Sequence, residues 1–341
     1  MRSNRLGRVI LTAVALVAVG CGDSEDSPSV SGGQSSDTTL AVPSFPAGST
    51  MANLQTKGKI MVGTKFDQPG LGVKNPATNR VTGFDADVAR LIAIGIFGGR
   101  MQDIDSKIEF KEAPTPQREL LIQNGTVDIV AATYTINDTR KAQIDFAGPY
   151  FIAGQDIMVK ADDNSIRGIT DLNGKKVCSV RNSTPAGRIR QQAPQADLTE
   201  FDTYTLCKDA LLDGRVQAVS TDNVILGGYV EANPQALKLV NAQINQEPYG
   251  IGLKKGDDVF RNFVNDRLEA IYGSGEWVQA FNANLGKFGI PVPTPPRVDR
   301  YQASGAATPA TTAAGGATTT TAAGGATTTS TIAGTTTSTT R

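Results

Sequence analysis

The sequence predicts an α/β protein of two lobes joined by two crossovers, flanked by segments that build no core. Three observations carry this. Short β-like runs alternate with helical stretches between about residues 52 and 298, an order that implies parallel strands with helices on their faces. One plan then occurs twice: a helix, a stop at Asn124-Gly125 or Asp213-Gly214, an apolar strand, and polar residues at that strand's carboxyl end. Outside these limits the composition turns to Ser, Gly, Asp and Pro on one side and to Ala, Thr and Gly on the other.

The 341-residue chain opens with Arg2, Arg5 and Arg8, an apolar run Val9–Val19, and Gly20 before Cys21. A basic flank, a short apolar core and a small residue mark an export signal over residues 1–20. At about 11 apolar residues the run is short of the roughly 20 that span a bilayer, and a buried N-terminal helix is the alternative. Ala18-Val19-Gly20-Cys21 resembles the lipobox of bacterial lipoproteins, in which the cysteine is lipidated; Ala18 stands where leucine is usual. Residues 21–51 then read as a flexible tether that holds the folded part just off a membrane surface.

In the first lobe, residues 52–153, Lys59–Gly63 is a strand. Phe84–Ile92 places Phe84, Val88, Leu91 and Ile92 on one helical face. Ile108–Phe110 is a strand, Arg118–Gln123 a short helix, and Val127–Ala131 a buried strand. That strand runs out into ATYTINDTR, where hydroxyls at Thr133 and Thr135 precede Arg140.

The second lobe, residues 154–245, begins at the strand-like Gln155–Lys160. Lys176–Val180 is a strand, Thr184–Gln192 and Cys207–Leu212 are helices, and Val216–Ser220 is a strand ending in Thr221-Asp222. The chain crosses near 150–155 and returns near 245–249, and residues 246–298 complete the first lobe. Tyr249–Lys255 is a strand there, and Asp257–Tyr272 a helix with Phe260, Val264, Leu268 and Ile271 along one face. Residues 299–341 bury too little apolar surface to offset their ordering entropy and are expected to be disordered.

With Cys21 assigned to lipid, Cys178 and Cys207 remain as an even pair in an oxidising compartment, where disulfides persist. Two buried free thiols are the alternative. The chain has no histidine and no third cysteine near that pair, so no metal site and no cofactor are expected. Lys plus Arg number 33 and Asp plus Glu 33, and this balance argues against a nucleic-acid partner.

Ligands of open α/β sheets bind outside the carboxyl ends of the strands. One lobe carries Thr133, Thr135 and Arg140 there, and the other Ser183, Thr184 and Asp222. Hydroxyls and a guanidinium facing a carboxylate suit a zwitterion.

GFDADVARLIA, LIQNGTVDIVAATYTINDTRKAQIDFAGPYF, DLNGKKV and YGIGLKKGDD resemble signature segments of the amino-acid class of extracellular solute-binding proteins that serve ABC importers. GTKFDQPGLG, CSVRNSTPAG, DTYTLC and the Cys178–Cys207 spacing are most similar to the glutamate-binding lipoproteins of actinobacteria. The resemblance covers nearly all of residues 52–290 and implies the two-lobed periplasmic-binding-protein-like fold. It also implies roles. Arg140 holds the α-carboxylate of an amino acid, with Thr133 and Thr135 beside it, Ser183 and Thr184 completing the carboxylate site, and Asp222 taking the α-ammonium. Lys65, Arg118 and Arg181 add cations that favour an acidic ligand, glutamate ahead of aspartate or glutamine.

The same resemblance implies a monomeric, extracytoplasmic, lipid-anchored binding protein with a membrane permease as partner. A ligand-sensing receptor subunit and a dehydratase-like enzyme share the fold and are the alternatives. Without histidine, an enzyme would need a carboxylate of raised pKa in the cleft, for which Asp222 is the candidate.

Overall fold

The structure is a computed structural model that describes residues 39–301. The expected export signal, the lipidated Cys21, the first part of the tether and the tail from residue 302 lie outside the described residues.

The first lobe starts with α1 (Thr50–Lys57), whose N-cap is Ser49, and strand β1 (Ile60–Thr64). A small antiparallel sheet follows from β2 (Asp67–Gln68), β3 (Gly72–Lys74) and β4 (Val81–Thr82). Helix α2 (Phe84–Phe97) is buried on most of its surface, with Asp85 and Asp87 in the first turn where negative charge complements the helix dipole. Next come β5 (Ile108–Glu112), α3 (Arg118–Gln123), β6 (Ile129–Val130), the single turn α4 (Asp138–Lys141) and β7 (Asp145–Ala153).

The second lobe holds β8 (Gln155–Lys160), β9 (Lys176–Val180), α5 (Thr184–Gln192), β10 (Asp197–Phe201), α6 (Tyr204–Leu212), β11 (Ala218–Asp222), α7 (Asn223–Ala232) and β12 (Leu237–Leu239). The chain returns to the first lobe at β13 (Glu247–Leu253) and ends in α8 (Asp258–Ser274) and α9 (Glu276–Asn284).

The two main sheets have one design. Their strand orders are β5-β1-β6-β13-β7 and β10-β9-β11-β8-β12. In each, a central strand is parallel to two neighbours, and a crossover strand then adds antiparallel: β13 beside β6, and β8 beside β11. The parallel order expected of β1, β5 and β6 is present, and the crossover strands make both sheets mixed. A strand arriving from the other lobe needs no helical return, which frees it from the parallel rule.

Sheet one packs on α2, α8 and α9 through an aromatic cluster in which Phe84 meets Trp277 at 5.6 Å and Phe151 at 5.8 Å. Phe260, Val264, Leu268 and Ile271 of α8 are all buried, the face the 3.6-residue period marks.

Several elements escape sequence reading. β10 and β12 are short and part-polar edge strands, and α7 carries Gly227 and Gly228, poor helix formers. Gly228 has a packing reason: a Cβ there would meet the Pro69 carbonyl oxygen at 2.5 Å, where the second lobe approaches the first.

Two expected boundaries move. Residues expected to be tether are already attached at Leu40, whose amide donates to the Gly99 carbonyl at 3.1 Å, and at Phe45, whose ring meets Phe263 edge-on at 5.3 Å. At the other end, Arg300 pairs with Asp266 and Glu269 at 2.6 and 2.7 Å. The Tyr301 hydroxyl accepts from the Phe146 amide at 2.7 Å. Isolated apolar or aromatic anchors in polar stretches escape a composition argument.

Candidate functional site

The first lobe builds its half of the site from the residues after β6. Ala131 and Ala132 are buried, and Thr133 turns out of the strand at φ 46°. A β-branched residue in that left-handed region is strained, and such strain gathers at functional sites. Its amide donates to Asp85 Oδ2 at 2.8 Å. Asn137 caps α4 by accepting the Arg140 amide at 2.9 Å, which folds the chain back. Arg140 Nη1 then donates to the Thr135 carbonyl at 2.7 Å and Nη2 to the Asn182 carbonyl of the second lobe at 3.2 Å. Arg118, at the start of α3, donates through Nη1 to the carbonyls of Ala132 at 2.9 Å and Thr133 at 3.2 Å. Both guanidinium groups lie against the Tyr134 ring, at 4.1 Å for Arg118 and 5.1 Å for Arg140.

The second lobe supplies the amino end of α5 and the carboxyl end of β11. Ser183 caps α5 by accepting the Ala186 amide at 3.1 Å, and Thr184 Oγ1 donates to Glu247 Oε2 at 2.7 Å. Asp222 stands at the N-cap of α7 yet makes no capping bond there. Its Oδ2 accepts the Tyr249 hydroxyl at 2.6 Å, and its Oδ1 is buried with no partner in the protein.

These groups line a narrow cavity between the lobes, shared by Thr115, Arg118, Thr133, Thr135, Arg140, Ser183, Thr184, Pro185, Tyr204, Thr221, Asp222 and Ile225. A neighbouring narrow cavity shares Thr115 and Tyr204 with it and adds Lys65, Asp67 and Gln68. The lobes also meet directly, at Thr135 Oγ1 and Thr184 Oγ1, 3.4 Å apart, and where Thr205 Oγ1 donates to Asp67 Oδ2 at 3.0 Å.

Four polar atoms of the lining residues are buried without a protein partner: Arg118 Nε in the first lobe, and Tyr204 Oη, Thr221 Oγ1 and Asp222 Oδ1 in the second. Buried groups of this kind are costly unless something else bonds them. Arg118 Nε is a cationic donor, Asp222 Oδ1 a carboxylate acceptor, and the two hydroxyls can do either, a set that suits a polar ligand bearing both signs.

The electrostatics agree. Burial, and then the nearby Glu247 charge, push Asp222 up to about 7, against the pull of the Tyr249 hydrogen bond, Arg118 and Arg140. Burial and the repulsion of Arg118 lower Arg140 to about 10, although Glu119 lies 3.4 Å from its Nε. The same two causes hold Lys65 well below the ordinary lysine value. Lys65 donates to the Ala113 carbonyl at 2.9 Å and to Thr115 Oγ1 at 2.8 Å. Arg118 thus depresses two other cations, and the first-lobe side of the cavity crowds Lys65, Arg118 and Arg140 together, partly offset by Asp67, Asp85, Glu112 and Glu119.

Of the residues singled out in the sequence, Arg118, Thr133, Thr135, Arg140, Ser183, Thr184 and Asp222 share the main cavity, and Lys65 sits one side chain behind Thr115. Arg181 does not join them. Its side chain is half exposed, at 52%, and pairs with Asp202 at 3.0 Å, in the turn that follows β9. Thr115, Tyr204, Thr221, Glu247, Tyr249 and Asp85 belong to the site or its support and were missed. Tyr204, Tyr249 and Asp85 lie inside the motifs DTYTLC, YGIGLKKGDD and GFDADVARLIA, but side-chain direction is not written there.

Comparison with known proteins agrees with the geometry. Residues 60–287 match the family described as bacterial extracellular solute-binding proteins, family 3. Glutamate-binding protein GluB of Corynebacterium glutamicum is 42% identical over 241 residues, covering 69% of this chain and 81% of that protein. ABC transporter glutamine-binding protein GlnH of Bacillus subtilis is 36% identical over 233 residues, 68% of this chain and 83% of its own. An ancestral arginine-binding protein solved with arginine superposes with a TM-score of 0.62 at 34% identity, covering 67% of this chain and 99% of that one. The matched segment holds both sheets and every cavity residue named above, and on that basis the chain belongs to the family 3 bacterial extracellular solute-binding proteins.

Proposed function

We propose that this chain captures an acidic amino acid, L-glutamate first, between its lobes and delivers it to the permease of an ABC importer. The observation that carries the ligand class is the charged pair among the orphaned lining atoms, Arg118 Nε from the first lobe and Asp222 Oδ1 from the second, together with the crowding of Lys65, Arg118 and Arg140. Asp222 takes the α-ammonium. Arg140, the Thr135 hydroxyl and the amino end of α5 at Ser183 and Thr184 receive the α-carboxylate. Arg118, with Lys65 behind Thr115, faces the side chain. An anionic side chain offsets the mutual repulsion of Lys65 and Arg118, whereas a neutral one leaves it standing. The names of GluB and GlnH support glutamate and glutamine as the ligands to separate.

The role is binding rather than catalysis, in keeping with relatives that are binding proteins and a chain without histidine for general-base chemistry near neutral pH. We further propose that a lipid on Cys21 holds the monomeric protein at the outer membrane face.

Calorimetry of the purified protein against all twenty amino acids tests the ligand. Glutamate should bind tightest, at micromolar Kd or below, which is about −8 kcal/mol and within reach of ten heavy atoms. Arg118→Ala should weaken glutamate at least about tenfold more than glutamine. A preference for basic or neutral amino acids, or equal losses for both ligands, overturns the assignment.

A further inference from the structure

Asp85 makes none of the ligand contacts proposed above, yet it is fully buried at the start of α2, directly behind the cavity wall. Both of its oxygens are used. Oδ2 accepts the Thr133 amide at 2.8 Å and Oδ1 accepts the Tyr150 hydroxyl at 2.7 Å. Burial pushes its carboxyl up to about 6, so the group is held at a cost that packing alone does not explain. Thr133 is the residue that needs it. At φ 46° a β-branched residue is strained and its amide turns away from the strand. The conformation matters downstream, because the carbonyls of Ala132 and Thr133 both receive Arg118 Nη1, at 2.9 and 3.2 Å. Those two bonds decide where the rest of the guanidinium fork points, including the orphaned Nε that lines the cavity.

We propose that Asp85 is a positioning residue for ligand binding: its carboxylate holds Thr133 in the left-handed conformation, and Thr133 in turn aims Arg118 into the cavity. Tyr150 fixes the carboxylate from behind. The Tyr150 ring lies 6.1 Å from that of Tyr249, whose hydroxyl holds Asp222, so one buried chain of groups steadies both walls.

The affinity arm of the test rests on the reading of the cleft as an amino-acid site, and a second arm does not. In the full chain, Asp85→Ala should weaken L-glutamate at least about tenfold, the scale of a released strained conformation. The same change in a Thr133→Gly background should cost no more than about threefold, because glycine enters positive φ without a holder. Equal losses in the two backgrounds would mean that Asp85 only stabilises the fold, and the proposal fails. Without ligand, the Thr133 amide should exchange hydrogen slowly in the native protein. It should exchange at least about tenfold faster in Asp85→Ala, while the amides of β1 and β5 keep their protection. Unchanged exchange at Thr133 also overturns the proposal. If the Ala variant does not fold, Asp85→Asn decides. Its amide oxygen keeps the Thr133 bond, so affinity stays within about threefold and exchange stays slow; a tenfold loss with slow exchange counts against the proposal. A native protein that binds no amino acid sinks the function proposed above and leaves the exchange arm to judge Asp85.

Discussion

On the proposed reading of the cleft, Asp222 faces opposite demands in the free and the ligated protein. Burial raises it from 3.8 to about 7, while an ammonium ligand needs it ionised. Below about 7 the free site holds a proton that binding must expel, so affinity should fall towards tenfold per pH unit on acidification and level off above neutrality. Stability has the reverse sign. Between about 4 and 7 the folded protein keeps a proton that the unfolded chain has lost, so the ligand-free protein loses stability as pH rises through that window. Asp222→Asn should therefore abolish binding and raise Tm at pH 8, by about 2–4 °C for each kcal/mol recovered. Thermal melts of the two proteins at pH 5 and pH 8 check this, and a lower Tm for the variant at pH 8 would contradict it. Arg181 carries the opposite lesson. It precedes Ser183 just as a cleft cation should, but in the turn after β9 its side chain pairs with Asp202 and meets the solvent. Replacing it should leave ligand affinity within about twofold, as for other exposed ion pairs.

At the scale of elements, the disulfide joins β9 to α6, with Cys178 and Cys207 29 residues apart and their Cα atoms at 5.5 Å. The chain-entropy model gives about 3–4 kcal/mol for a loop of that length. The bond also does more than close a loop. Helix α6 starts with Tyr204, which lines both cavities, and Thr205, which reaches Asp67 across the cleft. A Cys178→Ser, Cys207→Ser double variant should lose about that stability in a denaturant melt and should also bind ligand more weakly. Undiminished affinity would show that α6 holds its place without the bond. The elements differ in how plainly they are written. α2 and α8 announce themselves by apolar period, and β9 and β11 by apolar runs after turn residues. α7 does not, because it carries two glycines, one of which, Gly228, serves the approach to Pro69 rather than the helix. The paired cysteines were legible because two thiols in an oxidising compartment leave few choices.

At the scale of the whole molecule, the lobes are joined through Gly154, between β7 and β8, and through the segment leading into β13. Across the cleft they share hydrogen bonds, among them Tyr249 to Asp222 and Arg140 to Asn182. A ligand bridging Arg140 and Asp222 adds to that set, so L-glutamate should shift the population towards the arrangement described here. Small-angle scattering or a fluorophore pair across the lobes should report a more compact particle at saturation. An unchanged shape would mean that the lobes are already locked together without ligand.

From the sequence alone came the class, the two-lobed α/β plan, the paired cysteines and the two loops that face the cleft. The plan and the loops rest on local signals (period, turn residues, and hydroxyls or charges where an apolar run ends), the cysteine pair on count and compartment, and the class on the resemblance of short motifs. Only the tertiary structure decided which charges share the cavity. It set Arg181 outside, placed Lys65 behind Thr115, and brought in Tyr204, Tyr249 and Glu247 from distant segments. It also bent Thr133 to a positive φ against Asp85. The reason is physical. Burial and side-chain direction are set by what packs against a residue from elsewhere in the chain, and a charge in a motif reveals its partner only once both walls of the cleft are in place.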